Sequence, residues 1–346
     1  MKILYILISG KAGADVYFAR LKFAIEKYTN LKADLIYISQ LFEKIPFFIP
    51  FYLKYLKYTR KIDFYKYDII HTNAEFGHFF KIKNKLLLVT IHHSVFDKKY
   101  QKYTSLFQKI FHYFWIKPNL AKSLRVSDRV IAVSNYTKMQ ILNSFKISSK
   151  KLAVIYNGVD TDKFKPISNH NAQNNNKFRL LFVGNLTKRK GVDLLPKIMN
   201  KLGDEYILYY TSGLRTRKMF KQKNIFPLGK LNQEELVKEY NKCDILLLPT
   251  RLEGFGYAVA EAMACGKPVV TTNCSSLPEL VENGKNGFLC KVDDLDGFVR
   301  KIEFLAKNKN LRRRICVYNR KKVLEKFNLE NTVKEYVEIY KKLIQN

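Results

Sequence analysis

Short apolar runs rich in β-forming residues alternate with longer amphipathic segments along the chain. This alternation is typical of βα units, whose strands lie parallel in a sheet covered by helices. In the first half it predicts strands at Ile3–Ser9, Ala33–Ile38, Asp68–His71, Leu86–His92, Arg129–Ser134 and Leu152–Tyr156, with helices that include Asp15–Tyr28 and Tyr103–Leu124.

The pattern is interrupted at residues 168–177, where Ala172 is the one apolar residue. Such a segment cannot bury anything, so it predicts a linker between two domains. Beyond it the pattern predicts strands Leu180–Gly184, Tyr206–Tyr210, Ile225–Pro227, Ile245–Pro249 and Pro268–Thr272, and helices Asp193–Leu202, Asn232–Asn241, Tyr257–Cys265, Leu295–Lys307, Leu311–Lys326 and Leu329–Leu343.

We therefore expect an α/β protein with two Rossmann-like, doubly wound, parallel-sheet domains that face a central cleft. A chain of 346 residues is long enough for two such cores. The expected bounds are 1–167 for the first domain, 168–177 for the linker and 178–326 for the second domain, with 327–346 as a C-terminal helix that crosses back to the first domain. In open α/β sheets a cleft of this kind is the favoured place for a ligand.

The beginning of the chain and its cysteines bear on location. The apolar run Ile3–Ile8 briefly imitates a signal peptide, but it is short and the polar Ser9 and Lys11 end it, so a buried first strand is expected. The chain has no apolar run long enough for a membrane-spanning helix. Five scattered cysteines without CxxC spacing fit a reducing compartment, which predicts the cytoplasm.

The charge balance is unusual, with 62 Lys and Arg against 30 Asp and Glu and a formal net charge of +32. Three interpretations stay open: nucleic-acid binding, contact with an anionic membrane surface, and a compositional bias without function. No nucleic-acid-binding motif accompanies the charge, so we expect no nucleic-acid partner. The membrane and the bias remain.

The densest chemical signal lies between residues 248 and 268. A strand is expected to end at Pro249 and a helix to begin near Tyr257, with two glycines around Phe255 in between. Glycines at such a turn let backbone N–H groups approach an anion closely. Glu253 and Glu261 stand on either side of the turn. Because Glu261 lies in a mostly apolar helix, a charge without purpose is improbable there, and both carboxylates are suited to sugar hydroxyls.

This stretch resembles the GT-B glycosyltransferases of family 4, which are retaining enzymes. Glu253 and Glu261 match the E-x7-E signature of that family, and Gly254, Phe255 and Gly256 match its glycine turn. The resemblance implies that Glu261 holds the donor ribose, that Glu253 contacts the sugar, and that the turn amides face sugar and diphosphate.

A second motif runs from Phe182 to Gly191. A strand, Gly184, a basic loop and the start of a helix form another place for an anion, although a solvated basic loop fits the spacing equally well. The family pattern makes Lys190 the diphosphate lysine. Many relatives have an arginine where this chain has Asn185, and either Arg189 or Arg251 could replace that charge.

Three further positions come from the first half. His71 and His92 are each expected at the carboxyl end of a strand, where α/β sites form, although a lone histidine there is more often a hydrogen-bonded loop residue. The family resemblance implies that His92 reaches the donor sugar and that His71 supports the site less directly. The loop with Gly10 and Gly13 resembles the glycine loop that lines the acceptor and diphosphate side.

The resemblance implies transfer of a hexosyl group from a UDP-, GDP- or similar sugar with retention, without a metal or another cofactor. The acceptor would be a glycan or a lipid-linked molecule in the synthesis of cell-surface polysaccharide or glycolipid. The metal-binding DxD pattern occurs formally at Asp160–Asp162 but lies in the expected interdomain stretch, so we discount it. The alternatives are a nucleotide-sugar 2-epimerase of the same fold and a non-enzymatic basic protein that binds polyanions.

A candidate membrane element lies between Leu41 and Tyr67, with a short amphipathic helix expected from about Phe51 onward. A core helix on the first sheet fits nearly as well. The residues that favour the membrane are the aromatic Phe47, Phe48, Phe51, Tyr52, Tyr55 and Tyr58 and the basic Lys54, Lys57, Arg60 and Lys61.

Overall fold

The structure, a computed structural model, describes residues 1–8, 13–38, 62–167, 177–212 and 220–345. The chain divides into two compact units. The first comprises Met1–Phe96, Thr104–Tyr156 and Leu329–Asn346, and the second comprises Asp97–Tyr103 and Asn157–Asn328. Apart from Lys177, the linker expected at 168–177 lies outside the described residues.

Six parallel strands form the sheet of the first unit, in the order β2-β1-β3-β4-β5-β6. Ile3 to Ile6 are fully buried, as a parallel strand covered on both faces requires, so the prediction of a buried first strand is confirmed. The strands are β1 Lys2–Leu7, β2 Lys32–Tyr37, β3 Ile69–Asn73, β4 Leu86–Ile91, β5 Arg129–Ala132 and β6 Leu152–Val154.

The helices of the first unit largely follow the amphipathic segments. Their bounds are Gly13–Tyr28, Leu106–Phe111, Lys117–Val126, Asn135–Ser144 and Leu329–Gln345, with 3-10 helices at Phe64–Lys66 and Ala74–Phe80. The sequence pattern did not indicate the 3-10 helix Ala74–Phe80. Of the aromatic and basic segment 41–67, residues 62–67 are described; Phe64 and Tyr67 belong to the core, and the expected docking helix lies outside the described residues.

The helix expected at Tyr103–Leu124 differs from the observed one. A π-helical turn, His112–Ile116, joins Leu106–Phe111 to Lys117–Val126. Pro118 explains the change, since proline donates no backbone hydrogen bond and its ring collides with the carbonyl four residues earlier. A π-turn just before the proline widens the helix and relieves that collision.

The C-terminal helix Leu329–Gln345 packs in the first unit through two fully buried tyrosines, Tyr336 and Tyr340. The Tyr340 hydroxyl lies 3.3 Å from the Tyr5 hydroxyl and 2.8 Å from Nδ1 of His71. The Tyr336 hydroxyl is hydrogen-bonded to the Tyr17 hydroxyl. This helix is therefore held by buried polar contacts as well as by apolar packing.

The second unit also has six parallel strands, in the order β12-β11-β10-β7-β8-β9. The strands are β7 Phe178–Phe182, β8 Tyr206–Thr211, β9 Ile225–Gly229, β10 Ile245–Leu248, β11 Val269–Thr272 and β12 Gly287–Cys290. The helices are Leu195–Leu202, Gln233–Lys242, Tyr257–Ala264, Leu277–Leu280, Leu295–Lys307 and Lys309–Lys326, with Lys98–Gln101 from the earlier part of the chain. The sequence pattern did not predict β12, because four residues that begin with glycine carry too little periodicity.

In each sheet the chain adds strands first on one side of the initial strand and then on its other side. In the second unit β8 and β9 follow β7 on one side, while β10, β11 and β12 lie on the other. Right-handed crossovers then place helices on both faces, so the predicted pair of doubly wound, Rossmann-like parallel sheets is confirmed. Within the described residues no helix combines the length and hydropathy that a bilayer crossing needs.

Candidate functional site

The site of the second unit forms where its strand order reverses. β7 and β10 are neighbours in the sheet. The strands that follow β7 extend the sheet on one side, and those that follow β10 extend it on the opposite side. Gly184 follows the carboxyl end of β7, and Glu253 follows that of β10. A reversal of this kind opens a crevice beyond the carboxyl ends of the two strands, which is where ligands bind in open α/β sheets.

Lys190 and Glu253 form an ion pair across this crevice. The Lys190 Nζ lies 2.5 Å from the Glu253 Oε1, and the Glu253 residue is only 6% exposed. Burial opposes ionisation of the Glu253 carboxyl, but the charges of Lys190 and Arg189 outweigh it and lower its pKa. Burial also lowers the pKa of Lys190, an effect that Glu253 opposes and Arg189 reinforces. Two cations therefore share one carboxylate, and an additional anion would be stabilised here.

A pocket of about 300 Å³ opens beside this pair. Its lining joins two cations to polar and apolar side chains, a combination that suits a ligand with both phosphate and apolar groups. The lining residues are Val183, Gly184, Asn185, Lys190, Thr211, Lys230, Leu231 and Leu236.

Backbone contacts join the Lys190 loop to the loop after β10. Lys190 closes the 3-10 turn Lys188–Lys190, and Gly191 follows with a φ of 72°. A Cβ at Gly191 would lie 1.9 Å from the Pro249 carbonyl oxygen, so the two backbones touch there. The Arg189 carbonyl accepts from the Arg251 N–H at 2.8 Å. This close approach fixes Lys190 relative to Glu253.

Arg251 is committed to holding these loops. Its guanidinium donates two hydrogen bonds, of 2.7 and 2.8 Å, to the two carboxylate oxygens of Asp193, and a third of 2.7 Å to Asp293. The side chains of Asp193 and Asp293 therefore neutralise it. Arg189 donates to the Leu252 carbonyl at 2.8 Å and acts on both members of the ion pair. Of the two arginines that could replace the charge lost at Asn185, Arg189 is the one placed to do so.

The glycine turn after Glu253 is held from the loop that follows β11. The Glu253 N–H donates to the Ser275 hydroxyl at 2.8 Å, and the Ser276 hydroxyl donates to the carbonyls of Glu253 and Phe255. Phe255 is buried, and Gly256 caps the helix Tyr257–Ala264 with a φ of 104°. The turn with Gly254 thus has a fixed backbone just before a helix N-terminus, as an anion site requires.

Glu261 lies in the second turn of the helix Tyr257–Ala264 and is 4% exposed. The Tyr240 hydroxyl donates to its Oε2 at 3.1 Å. Tyr240 and the pocket residue Leu236 are four positions apart on the helix Gln233–Lys242, so they lie on one face of it. Glu261 is therefore linked to the pocket wall through that helix.

His92 lies at the end of β4 in the first unit. Its Nε2 is 3.1 Å from the Asn73 Oδ1, and its ring meets Tyr17 edge to face at 4.7 Å. Burial and the neighbouring His93 lower the pKa of His92 to about 3. The imidazole is therefore neutral at physiological pH and can act by hydrogen bonding but not as a cation.

His71 lies inside β3 and is fully buried. Its ring nitrogens lie 2.8 Å from the Tyr340 hydroxyl and 2.7 Å from the Thr90 Oγ1. These contacts occupy both nitrogens, so the structure places His71 in the core and not on a loop that an acceptor could touch. Gly13 begins the helix Gly13–Tyr28, while Gly10 lies outside the described residues.

The buried His71 should make the fold sensitive to acid. Burial holds its pKa well below the ordinary value, so the unfolded chain binds a proton near pH 6.5 while the folded chain does not. The contribution is complete above pH 6.5 and decreases as the pH falls. We expect the free energy of unfolding to fall between pH 6.5 and 5 on account of His71, by at most about 1.4 kcal/mol per pH unit. Urea denaturation at both pH values measures it, and a His71→Gln variant with an unchanged pH dependence would contradict it.

The DxD pattern at Asp160 forms a turn. The Asp160 Oδ1 accepts from the N–H groups of Asp162 and Lys163 at 3.1 and 3.2 Å, which is a local turn-stabilising contact. In the described part of the chain no group of three or more His, Cys, Asp or Glu side chains is placed to hold a metal ion.

Two glycosyltransferase family models together match most of the chain. A family model described as "Glycosyltransferase Family 4" matches residues 11–163, and one described as "Glycosyl transferases group 1" matches residues 163–322. A Klebsiella pneumoniae protein, named as an uncharacterized 41.2 kDa protein in the cps region, is 30% identical over 84% of this chain and 81% of its own length. The chain belongs to the GT-B glycosyltransferases.

Two further similarities come from a sequence relative and a solved structure. The UDP-Gal:alpha-D-GlcNAc-diphosphoundecaprenol alpha-1,3-galactosyltransferase of Escherichia coli is 26% identical to this glycosyltransferase over 81% of this chain and 77% of its own. The Anabaena protein HepE in complex with UDP-glucose superposes with a TM-score of 0.78 at 20% identity and covers 99% of this chain and 100% of its own. This second likeness shows the fold.

Sequence reasoning missed part of the glycosyltransferase pocket. Thr211 ends β8 next to β7, and its hydroxyl accepts from the Gly184 N–H at 3.1 Å. Lys230 and Leu231 follow β9, and Leu236 lies on the next helix. The strand order would have suggested Thr211, because adjacent parallel strands end at one edge. No local motif marks the other three.

Proposed function

We propose that this glycosyltransferase transfers a hexosyl group from a nucleoside diphosphate sugar to a glycan or lipid-linked acceptor, with retention at the anomeric carbon. The observation that carries the proposal is the buried Lys190–Glu253 pair at the strand-order reversal of the second unit, beside a cationic pocket. UDP is the first donor nucleotide to test, since the names of the Escherichia coli relative and of the HepE complex both contain it.

Leaving-group stabilisation would do most of the catalytic work. The departing nucleoside diphosphate would gain negative charge, and Lys190, Arg189 and the backbone of the glycine turn, which lie close to one another, would stabilise it. These groups would replace the charge that a metal supplies elsewhere, so we propose a metal-independent reaction. Glu253 would contact the sugar, and the neutral His92 would donate or accept a hydrogen bond on the donor sugar.

The proposed acceptor class is based on the names of two relatives. The Escherichia coli enzyme is named for a diphosphoundecaprenol-linked acceptor, and a Staphylococcus aureus relative is named for capsular polysaccharide biosynthesis. We therefore propose a role in cell-surface polysaccharide synthesis, at the cytoplasmic side of an anionic membrane. The excess of positive charge suits such a surface.

A thermal-shift screen against nucleotide sugars, followed by product analysis, tests this function. A true donor stabilises the folded chain by mass action, so Tm should rise with one class of nucleotide sugar. NMR of the product should then show the donor's anomeric configuration in a new glycosidic linkage. A free or epimerised sugar nucleotide as the sole product would instead indicate the epimerase reaction, and no response to any nucleotide sugar would contradict the proposal.

The two glutamates should separate binding from transfer. Glu261→Ala removes the charged partner proposed for the ribose and should weaken binding of the bare nucleoside diphosphate by about 1.5–3 kcal/mol, roughly ten- to a hundredfold in Kd. Glu253→Gln should leave this binding within about threefold, because Lys190 stays available, while it lowers transfer. Titration calorimetry with UDP measures both, and equal losses of affinity would refute the assignment of roles.

A further inference from the structure

The first unit exposes an unusual concentration of apolar side chains. Seven of the eighteen large hydrophobic residues that are exposed in the described part of the chain fall within ten consecutive positions. We call them the apolar face: Leu106, Phe107, Ile110, Phe111, Tyr113, Phe114 and Trp115, with exposed fractions from 42% to 85%. A concentration of this kind on a soluble surface marks a site of contact with another body.

The apolar face lies on an amphipathic helix whose polar and apolar sides are both exposed to solvent. No residue of Leu106–Phe111 is buried. The polar residues recur at the spacing of one helical face: Ser105, Gln108, Lys109 and His112. Apolar residues occupy the remaining positions up to Trp115. A helix that divides apolar from polar residues and packs neither side on a core has the form of a helix that lies in a membrane interface.

The fold holds this helix from its other end. Leu120, Ser123 and Leu124 are buried in the Lys117–Val126 part, and the Ser123 hydroxyl accepts from the His78 N–H at 2.9 Å. The Asn119 amide donates to the Trp115 carbonyl at 2.6 Å, at the end of the π-turn. The apolar face is thus presented on a fixed support and is not required for the core.

The surrounding charge selects the partner. From Lys98 to Ser127 the sequence contains no Asp or Glu, and in the first unit Lys109, Lys117, Lys122 and Arg125 accompany the apolar face. The Lys117 Nζ lies 5.0 Å from the centre of the Tyr113 ring. Aromatic rings favour the headgroup boundary of a bilayer, and each nearby cation is attracted by anionic lipid.

We propose that the apolar face is the surface by which the chain docks on an anionic membrane, with the helix lying in the headgroup region. The inference deepens the membrane partner named under the proposed function and rests on it. It assigns docking to residues 106–115.

Trp115 makes the test direct, because it is the one tryptophan of the whole chain. With the full-length protein and vesicles of phosphatidylcholine and phosphatidylglycerol, its emission should move to shorter wavelength. Brominated acyl chains should quench it, and the response should weaken with salt. Pure phosphatidylcholine vesicles should give little response.

A matched pair of variants locates the contact. The triple change Phe107→Gln, Phe111→Gln and Phe114→Gln removes three exposed rings and should lower vesicle binding about tenfold or more in co-sedimentation. The control is the triple change Phe23→Gln, Val317→Gln and Leu324→Gln, whose residues are also exposed but lie elsewhere. The control should bind vesicles like the wild type.

Three results would each overturn the proposal: wild-type vesicle binding by the triple variant, vesicle binding without a change in Trp115 emission, or an emission shift that follows protein concentration without lipid. The last would mean that a second copy of the chain covers the face. Nucleotide-induced thermal shifts, measured without vesicles, separate this question from the enzyme function. A chain that docks through Trp115 but responds to no nucleotide sugar would contradict the proposed function and leave the docking surface intact.

Discussion

Replacement of Lys190 by Met is expected to lower kcat by about two to three orders of magnitude, the scale typical for the loss of one preorganised charge-stabilising donor. The Lys190 ammonium lies at the strand-order reversal, 2.5 Å from Glu253 and on the wall of the pocket. In the proposed reaction, negative charge would grow there as the diphosphate leaves. Since binding of the ground-state donor gains less from the lysine, KM should change less than kcat.

Two controls separate a loss of catalysis from a loss of folding in Lys190→Met. Lys190→Met leaves Glu253 buried without its cation, which costs about 3–5 kcal/mol and could unfold the unit. The double change Lys190→Met with Glu253→Gln removes both charges and should remain folded. Because Glu253→Gln alone is expected to lower transfer, the double variant is compared with Glu253→Gln, and a further loss of kcat is the effect of Lys190. Lys188→Met removes an exposed cation of the same 3-10 turn and should keep near-normal turnover. Near-normal kcat in Lys190→Met would mean that the loop is a solvated basic surface.

Gly191→Ala is expected to have the largest effect on the fold of the site. Gly191 has a φ of 72°, and its Cβ would lie 1.9 Å from the Pro249 carbonyl oxygen and 2.6 Å from the carbonyl carbon. Backbone atoms cannot turn aside as a flexible side chain can. We expect a loss of more than about 4 kcal/mol in the free energy of unfolding, or a displaced Lys190 loop with little transfer.

Gly203 provides a control that lacks the contact. Its φ of 78° is also positive, with a ψ of −166° that glycine adopts far more readily than other residues, but nothing lies within 4 Å of its added Cβ. Gly203→Ala should therefore cost only backbone strain, about 1–3 kcal/mol. Urea denaturation of the two variants gives the difference, and similar losses would show that the contact between Gly191 and Pro249 does not constrain the site.

Hydrophobic periodicity was sufficient to predict the two parallel sheets, since eleven of the twelve strands occur where the pattern places them. It could not predict how β7 and β10 become neighbours, because strand order depends on contacts that are distant in sequence. The Lys190–Glu253 pair, 63 positions apart, follows from that order and not from either motif alone. Motif recognition found both residues but not their pairing.

Local sequence could not show which groups surround a residue. His71 was expected at the carboxyl end of a strand, and the structure places it inside β3, where Thr90 and Tyr340 contact its two ring nitrogens. Tyr340 lies 269 positions away, so no local pattern could show this contact. For the same reason the sequence left Arg251 open as a replacement for the charge absent at Asn185. In the structure Asp193 and Asp293 neutralise Arg251.

Hydrogen–deuterium exchange with a bound nucleoside diphosphate tests the central claim most directly. The nucleotide is the one that raises Tm most in the screen, and amide exchange is compared with and without it. We predict slower exchange in two peptides of the second unit, residues 184–191 after β7 and residues 253–257 after β10. Nucleotide binding that leaves both peptides unprotected, or that protects only residues of the first unit, would contradict a donor site built around Lys190 and Glu253.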